Sequence, residues 1–395
     1  MATLLQAPTA ADEPVNDSLG LRSYRECSRC VMDTTDPHIT FDSAGHCCHC
    51  TEFVEKRARH IYHGKESDAA LDKLLESIRR AGRRRKYDCV IGVSGGADSS
   101  YLAYIITERG LRPLAVHMDN GWNSEKAVIN IKNVLRGLGI DYESYVLDWE
   151  EFKDLQLSFL KASVPEAETP TDVAIPAALH SVAAKHGIKF ILSGGNLATE
   201  GILPKSWHYD VRDLTYFNHI HRTFGTRPLK SFPTFGYKKE IFYKVVKGLR
   251  MVYPLNYVPF IKDDAIKLLR HKFDWRPYGG KHYESTYTRF IQSYYLYEKF
   301  NIDYRRATLS TQICVGEIDR CRAVEQLRSK PYDVDEIDAA KRYIAKKLAV
   351  DKDEFERIMR LPAKRYWDYP NDERRLSFIY DTYRRIFKRE KLDRF

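Results

Sequence analysis

Between Tyr87 and Ser100 an apolar, β-rich run, Tyr-Asp-Cys-Val-Ile-Gly-Val, passes directly into Ser-Gly-Gly-Ala-Asp-Ser-Ser and then into helical sequence that stops at Gly110. A strand that feeds a glycine-rich turn at a helix N-terminus aims free backbone N–H groups and the positive end of the helix dipole at one point, which suits an anion. The alternation continues: Leu114–Met118 and Tyr142–Leu147 read as strands around a helix over 124–138, and a helix over 172–186 precedes the strand Lys189–Leu192. Strands alternating with helices of about 10–15 residues predict right-handed crossovers and an α/β fold, a doubly wound, mainly parallel sheet covered on both faces. In such sheets ligands sit beyond the carboxyl ends of the strands.

The sequence divides around this block. Residues 1–22 mix Ala, Pro, Asp and Asn without a period and read as a flexible arm, and 23–52 form a small cysteine module. Residues 53–86 read as a helical connector, because Leu71, Leu74, Leu75 and Ile78 recur at helical spacing. The α/β domain then covers 87–203, with Cys89 in the core of its first strand. Residues 204–395 are aromatic, basic and mostly helical, with Pro362 and Pro370 marking breaks.

Five of the eight cysteines lie between Cys27 and Cys50, too sparse and too clustered for a disulfide scaffold. The spacing is Cys27-Ser-Arg-Cys30, sixteen residues, then Cys47-Cys-His-Cys50, which fits two knuckles closing a tetrahedron of thiolates around a structural Zn²⁺. Cys27, Cys30, Cys47 and Cys50 are the candidate ligands; Cys48 or His49 could stand in for a neighbour, and four reduced cysteines in a loop are the bland alternative. A module of this size has little core of its own, so metal binding would supply much of its folding energy.

The net charge of +10 favours an anionic partner, which nucleotides and nucleotide-sugars satisfy as well as nucleic acid does. The run Arg83-Arg84-Arg85-Lys86 reads as a solvated face or linker. No stretch approaches the roughly 20 apolar residues of a membrane helix, and the first residues lack a secretory pattern, so a cytoplasmic, non-membrane protein is expected.

The turn is neither a Walker loop nor a dinucleotide fingerprint. Ser-Gly-Gly-x-Asp-Ser resembles the signature of the PP-loop ATP pyrophosphatases, which include asparagine synthetase, GMP synthetase and tRNA thiolases. The resemblance implies that ATP binds so that its α-phosphorus is attacked and pyrophosphate leaves. By motif, Ser94, Gly95, Gly96, Ser99 and Ser100 would hold the pyrophosphate, and Asp98 would hold either the loop or a Mg²⁺. Asp119, after the second strand, stands where this group receives adenosine, though it can equally be a plain turn residue. Gly194, Gly195 and Asn196 end a later strand on the same rim.

A closer resemblance covers about 24–385. Cys-Ser-Arg-Cys-Val-Met-Asp-Thr-Thr-Asp-Pro at 27–37, the PP-loop, Pro-Thr-Asp at 170–172, Ser-Gly-Gly-Asn at 193–196, Leu-Pro-Lys-Ser-Trp at 203–207 and Gly-Gly-Lys-His-Tyr-Glu-Ser at 279–285 are together similar to the bacterial N-acetyl sugar amidotransferases. That family implies conversion of the acetamido group of a nucleotide-activated surface-polysaccharide sugar, as in lipopolysaccharide O-antigen, into an acetamidino group. The amide oxygen would attack ATP, and ammonia would then displace AMP. Lys281, next to the flexible Gly279-Gly280 pair, is the candidate cation for pyrophosphate, or else a surface lysine. Asp172, Trp207, His282 and Glu284 are candidate substrate contacts, or else buried polar and packing residues. Where the family more often has His, this chain has Thr308, which puts a general base there in doubt.

No cysteine is placed as a glutaminase nucleophile, so the ammonia is expected from a separate subunit resembling the histidine-biosynthesis glutaminase, with a cyclase-like subunit as a further partner. The zinc module would be a docking surface or a structural cap. A tRNA-thiolating PP-loop enzyme is the main rival, with Cys314 and Cys321 on successive turns of one helix; a nucleotide-binding regulatory module is the other. Nucleic acid is not the expected partner.

Overall fold

The computed structural model describes residues 23–60, 65–279 and 283–387. The expected arm, Lys281 and His282 lie outside the described residues. The centre is a five-stranded, wholly parallel sheet of β1 (Cys89–Gly92), β2 (Pro113–Asp119), β3 (Tyr142–Val146), β4 (Phe190–Leu192) and β5 (Arg250–Val252), in the order β3-β2-β1-β4-β5.

Side chains alternate across the three central strands, whose two faces are both apolar. Cys89 and Ile91 of β1, Ala115 of β2 and Phe190 and Leu192 of β4 face one core, packed under α2 (Lys65–Gly82), α3 (Ala97–Glu108) and α4 (Glu125–Leu138). Val90, Leu114, Val116 and Ile191 face the other, where Leu179, Val182 and Ala183 of α6 (Thr169–Lys185) cover them. A period of two with both sides buried is what a doubly covered parallel sheet demands.

Two elements lie outside the sequence reading. Helix α5 (Trp149–Ala162) fills a stretch where none was expected, with Asp148 as N-cap, accepting from Glu151 N–H. Strand β5 comes from the part read as helical; it is a three-residue, exposed to half-buried edge strand that exists through its pairing with β4, which no local pattern announces.

The cysteine module is stitched into the molecule. Its helix α1 (Cys48–His60) starts within the second knuckle. Cys27, Cys30, Cys47 and Cys50 share one core with Phe53, Trp207, Tyr295, Ile344 and Phe355. Arg306 pairs with the buried Asp33 at 3.0 Å and with Glu26 at 3.0 Å, and Arg320 donates to the Cys27 and Cys30 carbonyls. Cys314 and Cys321 fall on separate helices, Arg305–Val315 and Arg320–Leu327, which corrects their expected pairing along one helix: Gly316, at φ +83°, ends the first helix between them. Among the described residues no helix is long and apolar enough to cross a membrane.

Candidate active site

The sheet order reverses direction at β1, whose neighbours β2 and β4 lead to opposite edges. Beyond the carboxyl ends of β1, β2 and β4 opens a cavity of about 610 Å³, within the roughly 300–1,000 Å³ usual for small-molecule sites. Its α/β wall is the Ser94–Ser100 turn.

Gly95 adopts φ +83°, and a Cβ there would lie 2.4 Å from the Ala127 carbonyl oxygen, so only glycine fits. The Gly95 carbonyl is pinned from outside by Trp275 Nε1 at 3.0 Å and Asn130 Nδ2 at 3.4 Å. Inside the turn, Ser94 N–H donates to Ser99 Oγ at 3.3 Å and Gly96 N–H to Ser94 Oγ at 3.2 Å. Helix α3 starts at Gly96, which brings no side-chain cap, and this helix end faces the cavity.

The end of β4 braces the turn. Gly194 passes so close that a Cβ would be 2.9 Å from Ser99 N and Cα. Asp98 is held there by Thr199 Oγ1 at 3.0 Å and Asn196 Nδ2 at 3.4 Å, while Asn196 Oδ1 accepts from Thr199 N–H.

Of the candidates named from sequence, Ser94, Gly96, Asp98 and Ser99 line the cavity, as do Gly194, Gly195, Asp172, Trp207 and Glu284. Gly95, Ser100 and Asn196 lie behind the wall in supporting positions. Asp119 is not on the lining; its Oδ1 accepts from Gly121 N–H at 2.9 Å and from Asn123 Nδ2 at 3.4 Å, the work of a turn residue. His117 lines the cavity instead, bonded to the Val93 carbonyl and to Asn123 Nδ2.

The opposite wall comes from a chain segment far away in sequence. Ser124 N–H donates to the Glu284 carbonyl at 2.8 Å, Asn123 bridges Ser285 and Thr286 N–H donates to the Trp122 carbonyl at 2.9 Å. This strap lays Glu284 against Ser94. Burial, and then the charge of Asp98, push the Glu284 carboxyl above its ordinary range, and its Oε2 is buried without a partner. The strap runs into a helix, Thr286–Phe290, that continues through a π-helical turn, Ile291–Tyr295, exposing Thr288 and Gln292 to the cavity.

Four participants were not named from sequence: Glu166, Glu168, Lys262 and Tyr278. Glu168 is half-buried; burial and the Asp172 charge push its carboxyl up to about 8. Burial alone dominates at Glu166, pushed up to about 7. Lys262 is the single lysine or arginine among the described residues lining the cavity. An acid two residues before Pro170 reads locally as a helix cap, and Lys262 as a solvated helix start; Glu168 is marked otherwise by Thr288 and Gln292, 120 and 124 residues away, and Lys262 by the Glu284 charge it faces. Trp207 is buried with its Nε1 unpartnered.

The four knuckle sulfurs lie within 4.8 Å of one another, all buried. Backbone N–H groups of Cys30 and Cys47 donate to Cys27 Sγ, and that of Cys50 to Cys47 Sγ, the pattern that stabilises thiolates. Cys48 instead accepts from Thr40 N–H, and His49 bonds Asp36 at 2.5 Å, so neither joins the cluster. The donor set fits Zn²⁺ in a closed, structural site.

Fold and loop together define a PP-loop protein of the ATP-pyrophosphatase type. Residues 284–386 match the family described as LPS biosynthesis protein WbpG-like, C-terminal domain. The match lies in the C-terminal part of the chain and supports the family that the motifs resemble. A 92-residue stretch is 36% identical to a tRNA(Ile)-lysidine synthase of Chlamydia pneumoniae; the match covers 23% of this chain and only 27% of that relative's length. Among solved structures, NMN synthetase from Francisella tularensis aligns at 11% identity and a TM-score of 0.32, over 80% of this chain and 98% of the other.

Proposed function

We propose that this chain is an AMP-forming amidotransferase: it adenylates the acetamido oxygen of a nucleotide-activated N-acetyl sugar and admits ammonia to give an acetamidino sugar for lipopolysaccharide. The observation that carries this reading is one cavity with two unlike walls, the PP-loop on one side and the WbpG-like strap and helix on the other.

ATP would lie with its departing phosphates at the N-terminus of α3, among Ser94, Gly96 and Ser99. Asp98 is the carboxylate for Mg²⁺, and Lys262, on the cavity lining, is the described cation for the leaving charge. Adenylation is needed because an amide oxygen leaves poorly, whereas AMP leaves well. The buried Trp207 N–H is suited to a sugar hydroxyl or carbonyl. The ammonia is assigned to a separate glutaminase. In support, no cysteine lines the cavity: four form the knuckles, Cys48 accepts from Thr40 N–H, Cys314 lies beside Cys50, Cys89 is in the sheet, and Cys321 is exposed. The same observation weighs against tRNA thiolation, which needs a thiol at the ATP site.

Purified protein with ATP, Mg²⁺, ammonium and UDP- or CMP-linked acetamido sugars is expected to release AMP and pyrophosphate, with the sugar losing the mass difference between oxygen and an imino group. Release of ADP and phosphate, or turnover of tRNA in place of every sugar, would sink the reading.

A further inference from the structure

The amidotransferase reading leaves one proton without a destination. The amide oxygen's attack on ATP leaves the imidate protonated on the sugar nitrogen; when ammonia's lone pair forms a C–N bond to its carbon, the C=N pair retreats to that nitrogen, which becomes a neutral amine, and the adduct carries a cationic –NH₃⁺. That group must lose one proton before the C–O bond breaks and takes its electrons away on AMP; otherwise ammonia itself is the better leaving group. A base is required beside the carbon but apart from the phosphates.

We propose that Glu168 is this base, taking one proton from the ammonia adduct and later releasing it to solvent. It is the first residue before α6, at the junction of the α/β wall and the WbpG-like wall. Thr288 Oγ1 donates to its Oε1 at 2.5 Å and Gln292 Nε2 to its Oε2 at 3.5 Å, so the carboxyl is fixed from the opposite side of the cavity. These partners lie four and eight residues along the chain from Glu284, which touches the PP-loop, so Glu168 is held by the part of that wall beyond the residue at the phosphates.

Several other titratable groups on the lining are committed elsewhere: Glu166 accepts from the Tyr216 hydroxyl and faces the Arg365 charge, and His208 Nδ1 bonds the Pro204 carbonyl. Both ring nitrogens of His117 are bonded, and Asp98 is held by Asn196 and Thr199. Glu284 lies against Ser94, where pyrophosphate would leave. Asp172 stands one turn into α6 from Glu168, exposed to solvent, and its charge raises the proton affinity of its neighbour. Burial works in the same direction, so the Glu168 carboxylate holds a proton near neutral pH better than a free glutamate does.

The test separates the two half-reactions. Incorporation of labelled pyrophosphate into ATP, dependent on the acetamido sugar, reports adenylation alone. Amidine formation with ammonium reports the second step. For Glu168→Gln, exchange is expected to stay within about threefold of wild type while amination falls roughly 100-fold or more. Hydroxylamine gives a far less basic adduct, which sheds its proton to water, so it should restore turnover in the variant. Thr288→Val, which keeps the carboxyl but removes its hydrogen-bond donor, should show the same selective loss in milder form and guards against a Glu168→Gln protein that folds poorly. Amination unchanged, exchange and amination lost together in folded protein, or no rescue by hydroxylamine would each overturn the assignment. Wild-type protein without sugar-dependent exchange would instead overturn the underlying amidotransferase reading, and the base with it.

Discussion

At the scale of single residues, the PP-loop is a place where sequence and structure speak the same language. Gly95 must be glycine because its backbone is left-handed and a carbonyl stands where Cβ would go. Gly95→Ala is expected to cost about 1–3 kcal/mol from backbone strain, more from the collision, and to abolish ATP binding measured by calorimetry. Tight ATP binding by this variant would mean the turn does not hold the phosphates. Buried carboxyls are the opposite case, silent in sequence. Glu166 keeps its proton to about pH 7 in the folded protein, whereas an unfolded glutamate loses it near 4.5. Above that lower value the unfolded state binds fewer protons than the folded one, so stability falls as pH rises toward 7 and is flat beyond. Relative to wild type, Glu166→Gln should therefore gain up to about 3 kcal/mol between pH 5 and pH 8 in denaturant unfolding. A pH-independent difference would show that the group ionises normally.

At the scale of elements, the knuckles and the strand–turn–helix were legible because each depends on residues close together in the chain. The ligand pattern needs only two short spacings, and the turn only six letters after an apolar run. Elements that depend on distant partners were not: β5 exists because β4 offers it an edge, and the strap at 284–286 because Ser124 offers an N–H. The union of the knuckles with the helix Arg305–Val315 is likewise tertiary. Arg306 is buried between Asp33 and Glu26, and removing it strands an uncompensated charge at Asp33. Arg306→Ala is predicted to cost roughly 3–5 kcal/mol. Metal analysis should find zinc in proportion to chain, and a strong chelator should lower the melting temperature in a way that Cys30→Ser protein no longer shows. A protein that keeps its melting temperature after complete zinc removal would make the cluster dispensable for folding.

At the scale of the whole molecule, the site belongs to neither half alone. The α/β sheet brings the phosphate turn, and the WbpG-like segment closes over it by two backbone hydrogen bonds between 122–124 and 284–286 that form one antiparallel bridge. Glu284 then carries a buried, unpartnered oxygen beside Ser94 and Asp98, so whatever Mg²⁺ and ATP bring to the turn must change the electrostatics of the strap as well. Occupation of the loop and ordering of the strap are thus coupled in free energy, and each should strengthen the other. Hydrogen exchange with and without a non-hydrolysable ATP analogue and Mg²⁺ measures this directly. Slower exchange is expected over 93–100 and 193–199, and also over 284–292, although those last residues carry no phosphate-binding motif. The helix Glu373–Phe387 belongs to the same matched segment but contributes no residue to the cavity lining, so it should not respond. Protection confined to the α/β residues would mean that nucleotide and WbpG-like wall act independently, and the single two-walled cavity would then lose its standing as the seat of the reaction.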